Sequence, residues 1–423
     1  MRILGIPGAR LYCNWSGDGT RNLEVSMHHS TAHSPHTLPT TARPRALPAR
    51  GPLPSRMREL AFLAPGRLAW REVPTPRLQG DGEALVRPLA VARCDLDRAI
   101  LRGEAPFRGA LLHWLRNHLP DAIGQQRLFR NAPFKGPYAF GHECVAEVLA
   151  VGDAVHGVQP GDRVLVPFQI SCGDCARCRH GLTASCTSVP ARSMYGFGAL
   201  GGHGWGGVLS ECVRVPFADA MLVPLPAGAD PAALASAGDN VGDGWRTVAP
   251  HLAARPGATV LVVGGGAVSV GLYAAACAVA LGAERVDYVD QDPTRLQIAA
   301  RLGATTIDAP FTAERPSLYP ITVDASADPT GLTRALLSTE PGGTCTSVGI
   351  YYTPDTPMPL RSMYGTGITF ITGRVHARAV LPSVLELTCC GRLHPELVTT
   401  VTASWDDAPE ALLDSGPKVV ITR

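Results

Sequence analysis

From residue 258 onward the chain alternates between short apolar runs and Ala-rich helical segments. TVLVVGG leads to GLYAAACAVALGA, VDYVD to PTRLQIAARLGA, ITVDASA to TGLTRALLSTE, and GTCTSVGIYY closes the series. Alternation of this kind predicts a parallel, doubly wound sheet, because parallel neighbours need a crossover connection. Before residue 240 the texture is different. ELAFL, RLAWREV and ALVRPLAVA are separated by Pro-Gly and Gly-Asp-Gly, and VAEVLAVG, DRVLVPF and ECVRVP follow. These read as strands joined by tight turns. Gly (45) and Pro (37) make up about 19% of the 423 residues, against a usual ~12%, which favours a turn-rich β domain over a helix bundle. The tail from about residue 374 holds a helix (LPSVLELTCC), a short strand and a final VVIT. The fold class is therefore α/β, a mainly β domain plus a doubly wound sheet, with no internal repeat.

The formal net charge is +2 and is unevenly placed. Residues 1–56 hold seven Arg and no Lys against two acids, together with seven Pro and four His; the remainder carries 31 basic and 34 acidic residues. Such a balance argues against a dedicated nucleic-acid binder. Hydrophobic residues at 45% exclude wholesale disorder, and no run of ~18 apolar residues suggests a spanning helix. The first 56 residues show neither helical nor strand periodicity, so disorder is expected there. They lack the apolar stretch of a secretory signal and a clear transit-peptide helix. Regular pattern begins abruptly at Met57, which is an alternative translation start.

Four of the twelve Cys fall in CGDCARCRHGLTASC, as Cys172, Cys175, Cys178 and Cys186 with spacing C-x2-C-x2-C-x7-C. Four thiolates from one short loop satisfy tetrahedral Zn²⁺ and leave no open position. Disulfides need an oxidising compartment, which nothing here signals. Ferredoxin-type clusters end with a spacing of three and then Pro, whereas this loop ends with a spacing of seven and then Thr187. A redox C-x-x-C would not need four cysteines. The reading is structural zinc, which supports the fold rather than the chemistry.

The run TVLVV leads into Gly264-Gly265-Gly266 and, after four more residues, Gly271 and a helix. Glycines permit a tight turn, close approach of a pyrophosphate and helix–strand packing, while the helix N-terminus attracts phosphate. After Gly264 and Gly266 the third glycine comes two residues late for G-x-G-x-x-G, so a wider turn is expected. Asp290 closes VDYVD nineteen residues after Gly271. An acid there accepts hydrogen bonds from ribose hydroxyls and repels a 2′-phosphate, favouring NAD over NADP. Arg295 is near enough to keep NADP open.

Cys94 follows a strand in VARCDLD, and Gly141-His142-Glu143 leads into another. A lone Cys or His is usually structural. With the four-cysteine loop and the Gly-rich turn, however, residues 57–423 resemble the zinc-dependent alcohol dehydrogenases of the medium-chain dehydrogenase/reductase superfamily. VRVPFADAMLVPLP and Asp239 resemble the formaldehyde-dehydrogenase-like branch. The resemblance implies a GroES-like mainly β zinc-binding catalytic domain over 57–239 and 374–423, and a Rossmann NAD-binding domain over 240–373. It implies two zinc ions per chain. Cys94, His142 and Asp239 would bind the catalytic ion, with Asp97 as an acid behind it and Glu143 able to swap in as a ligand. Zinc would polarise the oxygen of an alcohol or aldehyde while NAD takes the hydride. A homodimer or homotetramer in the cytoplasm follows, with a small-molecule substrate and neither nucleic acid nor membrane as a partner.

Two departures stand out. Where the family has a Ser or Thr that starts a proton relay, this chain has Leu96; the relay His is also missing, with Ala99 and Ile100 in its place. Asp243 replaces a Thr near the nicotinamide, so the proton must leave by water, Glu143 or Asp243. An insertion at roughly 104–135 carries Phe107, Leu111, Leu115 and Leu119 at helical spacing beside Trp114, as a packed helix, a lid over the zinc cleft or, with Arg108, Arg116, Arg127 and Arg130, a membrane-associating segment. A rival reading is a zinc-stabilised nucleotide-binding or sensor protein of reduced catalytic power.

Overall fold

The computed structural model describes residues 53–103, 134–312, 317–351 and 355–423, together with the backbone of 9–11 and 25–27. The expected insertion helix lies outside the described residues. The chain forms two units, Met1–Ala49 and Arg50–Arg423. In the first, β1 (Ala9–Leu11) pairs antiparallel with β2 (Val25–Met27), where no regular element was expected. Strands of three residues are too short for alternation to register in sequence. The remainder of 1–52 lies outside the described residues.

The second unit opens with β3 (Arg56–Ala64) and β4 (Arg67–Pro74), a hairpin turning at Gly66, which has φ +70°. Then come β5 (Ala84–Ala92), α1 (Asp95–Leu101), β6 (Tyr138–Ala139), β7 (Glu143–Val151), β8 (Arg163–Val166), β9 (Val213–Val215) and β10 (Val223–Pro224). The C-terminal β17 (Val401–Ser404) and β18 (Val419–Thr422) return to this half. The order is β10-β8-β7-β5-β18-β17 with β9 against β5, while β4-β3-β6 forms a smaller sheet. Leu60, Phe62, Val86, Phe140, Val164 and Ile421 fill the core between them.

The nucleotide half begins with α2 (Asn240–Ala254) and alternates β11 (Val260–Val263), α3 (Val268–Ala280), β12 (Val286–Asp290), α4 (Pro293–Arg301), β13 (Thr305–Asp308), β14 (Tyr319–Asp324), α5 (Pro329–Leu337), β15 (Thr339–Ser347) and β16 (Thr369–Thr372). All six strands are parallel, in the order β13-β12-β11-β14-β15-β16. Counted from β11 this is 3-2-1-4-5-6, the order of a dinucleotide-binding sheet. The order reverses between β11 and β14, which opens a crevice at their carboxyl ends. The return helix α6 (Ala377–Cys389) packs against α2 and buries Leu381, Val384 and Leu387 with the core of this sheet.

Candidate active site

Cys94 is the N-cap of α1: its Sγ accepts from the Asp97 amide at 3.4 Å, and Asp97 Oδ2 accepts from the Cys94 amide at 3.2 Å. This reciprocal cap fixes the thiol and the carboxylate together. Gly141, at φ +86°, turns the chain so that His142 and Glu143 enter β7 pointing inward, both fully buried. Asp239 stands at the N-cap of α2 but makes no capping bond. Its Oδ2 instead lies 3.3 Å from His142 Nε2. The ligand atoms of Cys94, His142, Glu143 and Asp239 all fall within 4.8 Å of one another.

The donor set fits a divalent cation. Neither ring nitrogen of His142 has a hydrogen-bond partner among the described residues, although both are buried. Nδ1 faces Asp97 Oδ2 at 3.5 Å, which leaves Nε2 as the ligating nitrogen. Burial disfavours the imidazolium, but Asp97, Asp239 and Glu143 outweigh it and raise His142 to about 9. Burial, with the nearby acids, pushes the Cys94 thiol well above its ordinary value. Thiolate, carboxylate and neutral imidazole are stable together at this depth only around a cation.

Behind the cluster lies a contact that no motif announces. Lys418 is fully buried, and its Nζ donates to Glu143 Oε2 at 3.0 Å and to Asn240 Oδ1 at 2.8 Å. Burial raises Glu143 while Lys418 opposes it, leaving the carboxyl at about 7. Asn240 Nδ2 donates to Asp239 Oδ2 at 3.0 Å. Ser269 Oγ lies 2.8 Å from Asn240 Oδ1 and 2.9 Å from Asp95 Oδ1. One chain of polar groups thus joins Asp239 and Glu143 to the start of α3.

The Gly-rich turn is built as expected in most respects. Gly265 has φ +135°, closed to ordinary side chains, and a Cβ on Gly264 would lie 2.4 Å from Asp290 Oδ2. Gly271 packs α3 against β14, where a Cβ would lie 2.9 Å from that of Ala325. Gly266 donates to Ser326 O at 2.7 Å. At the α3 N-terminus, expected to attract phosphate, a carboxylate of this chain also sits. Asp95 accepts from the amides of Ser269 (3.0 and 3.1 Å) and Val270 (3.2 Å), because α1 aims its first carboxylate at the partial positive charge there. Asp290 is 1% exposed and already accepts from Arg295 Nη2 at 2.7 Å and from the amides of Gln291 and Asp292. Arg295 Nη1 in turn donates to Gly265 O at 3.1 Å.

A cavity of about 680 Å³ runs from Cys94 and Asp239 to Gly266 and Val270. Leu96, Phe168 and Phe197 form an apolar wall, and Asp243, Arg192 and Arg374 also line it. Asp243 pairs with Arg246 at 2.5 Å, and burial raises it to about 6 against that pairing. Sequence reasoning had named Asp243 but neither arginine.

The second metal cluster stands apart from this cavity. Cys172, Cys175, Cys178 and Cys186 bring their sulfurs within 4.8 Å of one another as free thiols. Cys175 Sγ and Cys186 Sγ are 4.0 Å apart. A tetrahedron of Zn–S bonds of about 2.3 Å has edges of about 3.8 Å. Hydrogen bonds from Thr187 and Cys178 lower Cys175 to about 5, which favours the thiolate.

Residues 80–227 match the alcohol dehydrogenase GroES-like domain and residues 269–388 the zinc-binding dehydrogenase domain. The "Alcohol dehydrogenase TADH from Thermus sp. ATN1" superposes with a TM-score of 0.73 at 30% identity, over 86% of this chain and 99% of that one. The chain belongs to the zinc-binding alcohol dehydrogenase family. A "Glutathione-independent formaldehyde dehydrogenase" of Bacillus subtilis is 30% identical over 65% of this chain and 76% of that protein. A "Probable zinc-binding alcohol dehydrogenase" of Mycobacterium tuberculosis is 29% identical over 83% of each. The dehydrogenase is thus a zinc-dependent, NAD(P)-dependent oxidoreductase of the medium-chain superfamily, with the expected GroES-like and Rossmann folds. No helix among the described residues is long and apolar enough to cross a membrane.

Proposed function

We propose that the dehydrogenase interconverts an alcohol and its aldehyde or ketone at a zinc ion held by Cys94, His142 and Asp239, with a second ion closed in by Cys172, Cys175, Cys178 and Cys186. The convergence of Cys94, His142 and Asp239 at one end of a cavity whose other end is the Gly-rich turn carries this reading. When bound, zinc supplies a Lewis acid and the nicotinamide supplies the hydride acceptor. Asp97 orients His142 through Nδ1, and Lys418 holds Glu143 beside the other ligand atoms. Leu96 has no hydroxyl to pass a proton. Both Glu143 oxygens are engaged by Lys418, and one Asp243 oxygen by Arg246, so water or the free side of Asp243, which lines the cavity, takes the substrate's proton.

NAD is the preferred cofactor in this reading. Arg295 is committed to Asp290 and to Gly265 O, and Asp290 stands beside the turn. Asp290→Ala releases the guanidinium for a 2′-phosphate. NADP should gain at least tenfold on NAD in fluorescence titrations, each tenfold being about 1.4 kcal/mol.

The zinc-binding half would be 57–239 with 374–423, and the nucleotide half 240–373. A homodimer or homotetramer is supported by β16, an edge strand whose Ile371 is exposed. The free thiols of the four-cysteine loop suit a reducing cytoplasm.

Metal analysis tests the core of the proposal. Two zinc ions per chain are expected, falling to one in His142→Ala and Asp239→Ala. One ion in the wild type, unchanged by either substitution, removes the catalytic site. Reduction of NAD with an alcohol panel, followed at 340 nm, separates an enzyme from a sensor.

A further inference from the structure

Resting on that reading of the cavity, we propose that the substrate is an alcohol or aldehyde carrying an anionic group, a carboxylate or a phosphate, which Arg192 and Arg374 grip. Most charges around the cavity are already engaged, Asp95 among them, since it accepts from the amides of Ser269 and Val270. Cys94 and Asp239 are committed to the metal, Lys418 pairs with Glu143 at 3.0 Å, and Arg246 pairs with Asp243 at 2.5 Å. Arg192 and Arg374 both line the cavity and are solvent-accessible, yet neither forms an ion pair among the described residues.

Arg374 has only soft contacts. Its guanidinium carbon lies 5.9 Å from the ring centroid of Phe168, and its Nη2 lies 3.6 Å from Met194 Sδ. The Phe168 ring is itself 5.6 Å from the His142 ring, so the cation stands one aromatic ring away from the metal cluster. That is the substrate end, since the Gly-rich turn lies at the other. Removal from water disfavours the Arg374 cation most; Asp239 favours it, Arg192 opposes it and Asp243 favours it again. Two arginines that line one cavity and have no ion-pair partner among the described residues form a receptor for an anion.

Arg192 also holds a backbone that only glycine takes freely, with φ +63°. Its carbonyl oxygen packs where a Cβ on residue 201 would be, 2.0 Å away, so Gly201 secures the bend. Backbone strain held in this way clusters at ligand-binding positions. Leu96 and Phe197 line the same cavity with apolar side chains. The fitting molecule therefore has a reacting hydroxyl at one end, a carbon body and an anion.

The test compares 6-hydroxyhexanoate, 6-hydroxyhexyl phosphate and neutral 1-hexanol as substrates of the zinc-loaded, full-length protein. Either anion should exceed hexanol at least tenfold in kcat/KM, and whichever leads identifies the source. Arg374→Gln and Arg192→Gln should lose at least tenfold more on the anion than on hexanol, with Arg374→Lys recovering part. The NADH dissociation constant, read by fluorescence, should stay within about twofold. Equal use of hexanol, equal losses on all three substrates, or a large rise in the NADH constant in the variants overturns the proposal. If no alcohol is oxidised, the activity reading fails separately. Calorimetry of hexanoate binding to wild type and Arg374→Gln then decides the anion site: no binding, or binding unchanged by the substitution, overturns it.

Discussion

Lys418 shows how much a single side chain can carry without advertising itself. The chain has 36 Arg and only two Lys. One of those lysines sits fully buried between Glu143 and Asn240, its compact ammonium donating to both. Removing one partner of a buried pair leaves an uncompensated charge and typically costs about 3–5 kcal/mol. Lys418→Met should lower the melting temperature of the metal-loaded protein strongly, as calorimetry would record. Lys418→Met combined with Glu143→Gln should recover much of the loss. If the single variant melts like wild type, the pair has no structural weight. Cys94, His142 and Asp239 were legible because each stands in a short motif with a recognisable neighbour. Lys418, Arg192 and Arg374 were not, because their meaning depends on which side chains the fold brings to them. The scarcity of lysine was the one available hint.

Among the elements, the sheet was readable from sequence where it is buried and not where it is exposed. β11 and β14 are apolar and were found. β13 (TTID) and β16 (TFIT) lie at the sheet edges with mostly exposed side chains, so neither burial nor alternation marked them. α2 was obscured by Gly242, Gly244 and Pro250, poor helix formers that packing overrides. Gly244 is needed there, since a Cβ would lie 2.7 Å from the Ala274 amide of α3. At the start of α3 the Gly-rich motif was legible, but its occupant was not. Asp95 is 174 residues from Ser269 in the chain, and nothing local predicts their meeting. Its carboxylate competes with a pyrophosphate for the same amides. Asp95→Ala should therefore lower the melting temperature of the cofactor-free protein, by the roughly 0.5–2 kcal/mol of a lost cap, and tighten NADH binding. Weaker NADH binding would mean that Asp95 serves the cofactor instead of opposing it.

For the whole molecule, the chain divides into Met1–Ala49 and Arg50–Arg423, and regular pattern in the sequence begins within the second unit, near Met57. A chain beginning at Met57 should keep its melting temperature and NADH affinity; a large loss of either would show that the leader docks on the body. The two halves of the body are tied together by the polar chain running from Asp95 through Ser269 and Asn240 to Asp239, and through Lys418 to Glu143. A cofactor that displaces Asp95 disturbs one end of it, and a metal ion that draws on Asp239 disturbs the other. Two ligands pulling on one network must influence each other reciprocally. Whatever factor zinc removal applies to the NADH dissociation constant, saturating NADH must apply to the zinc dissociation constant at the Cys94 site. Asn240→Ala, which cuts the network in the middle, should bring that shared factor close to one. The enzyme would then sense its metal and its coenzyme independently, as the wild type cannot.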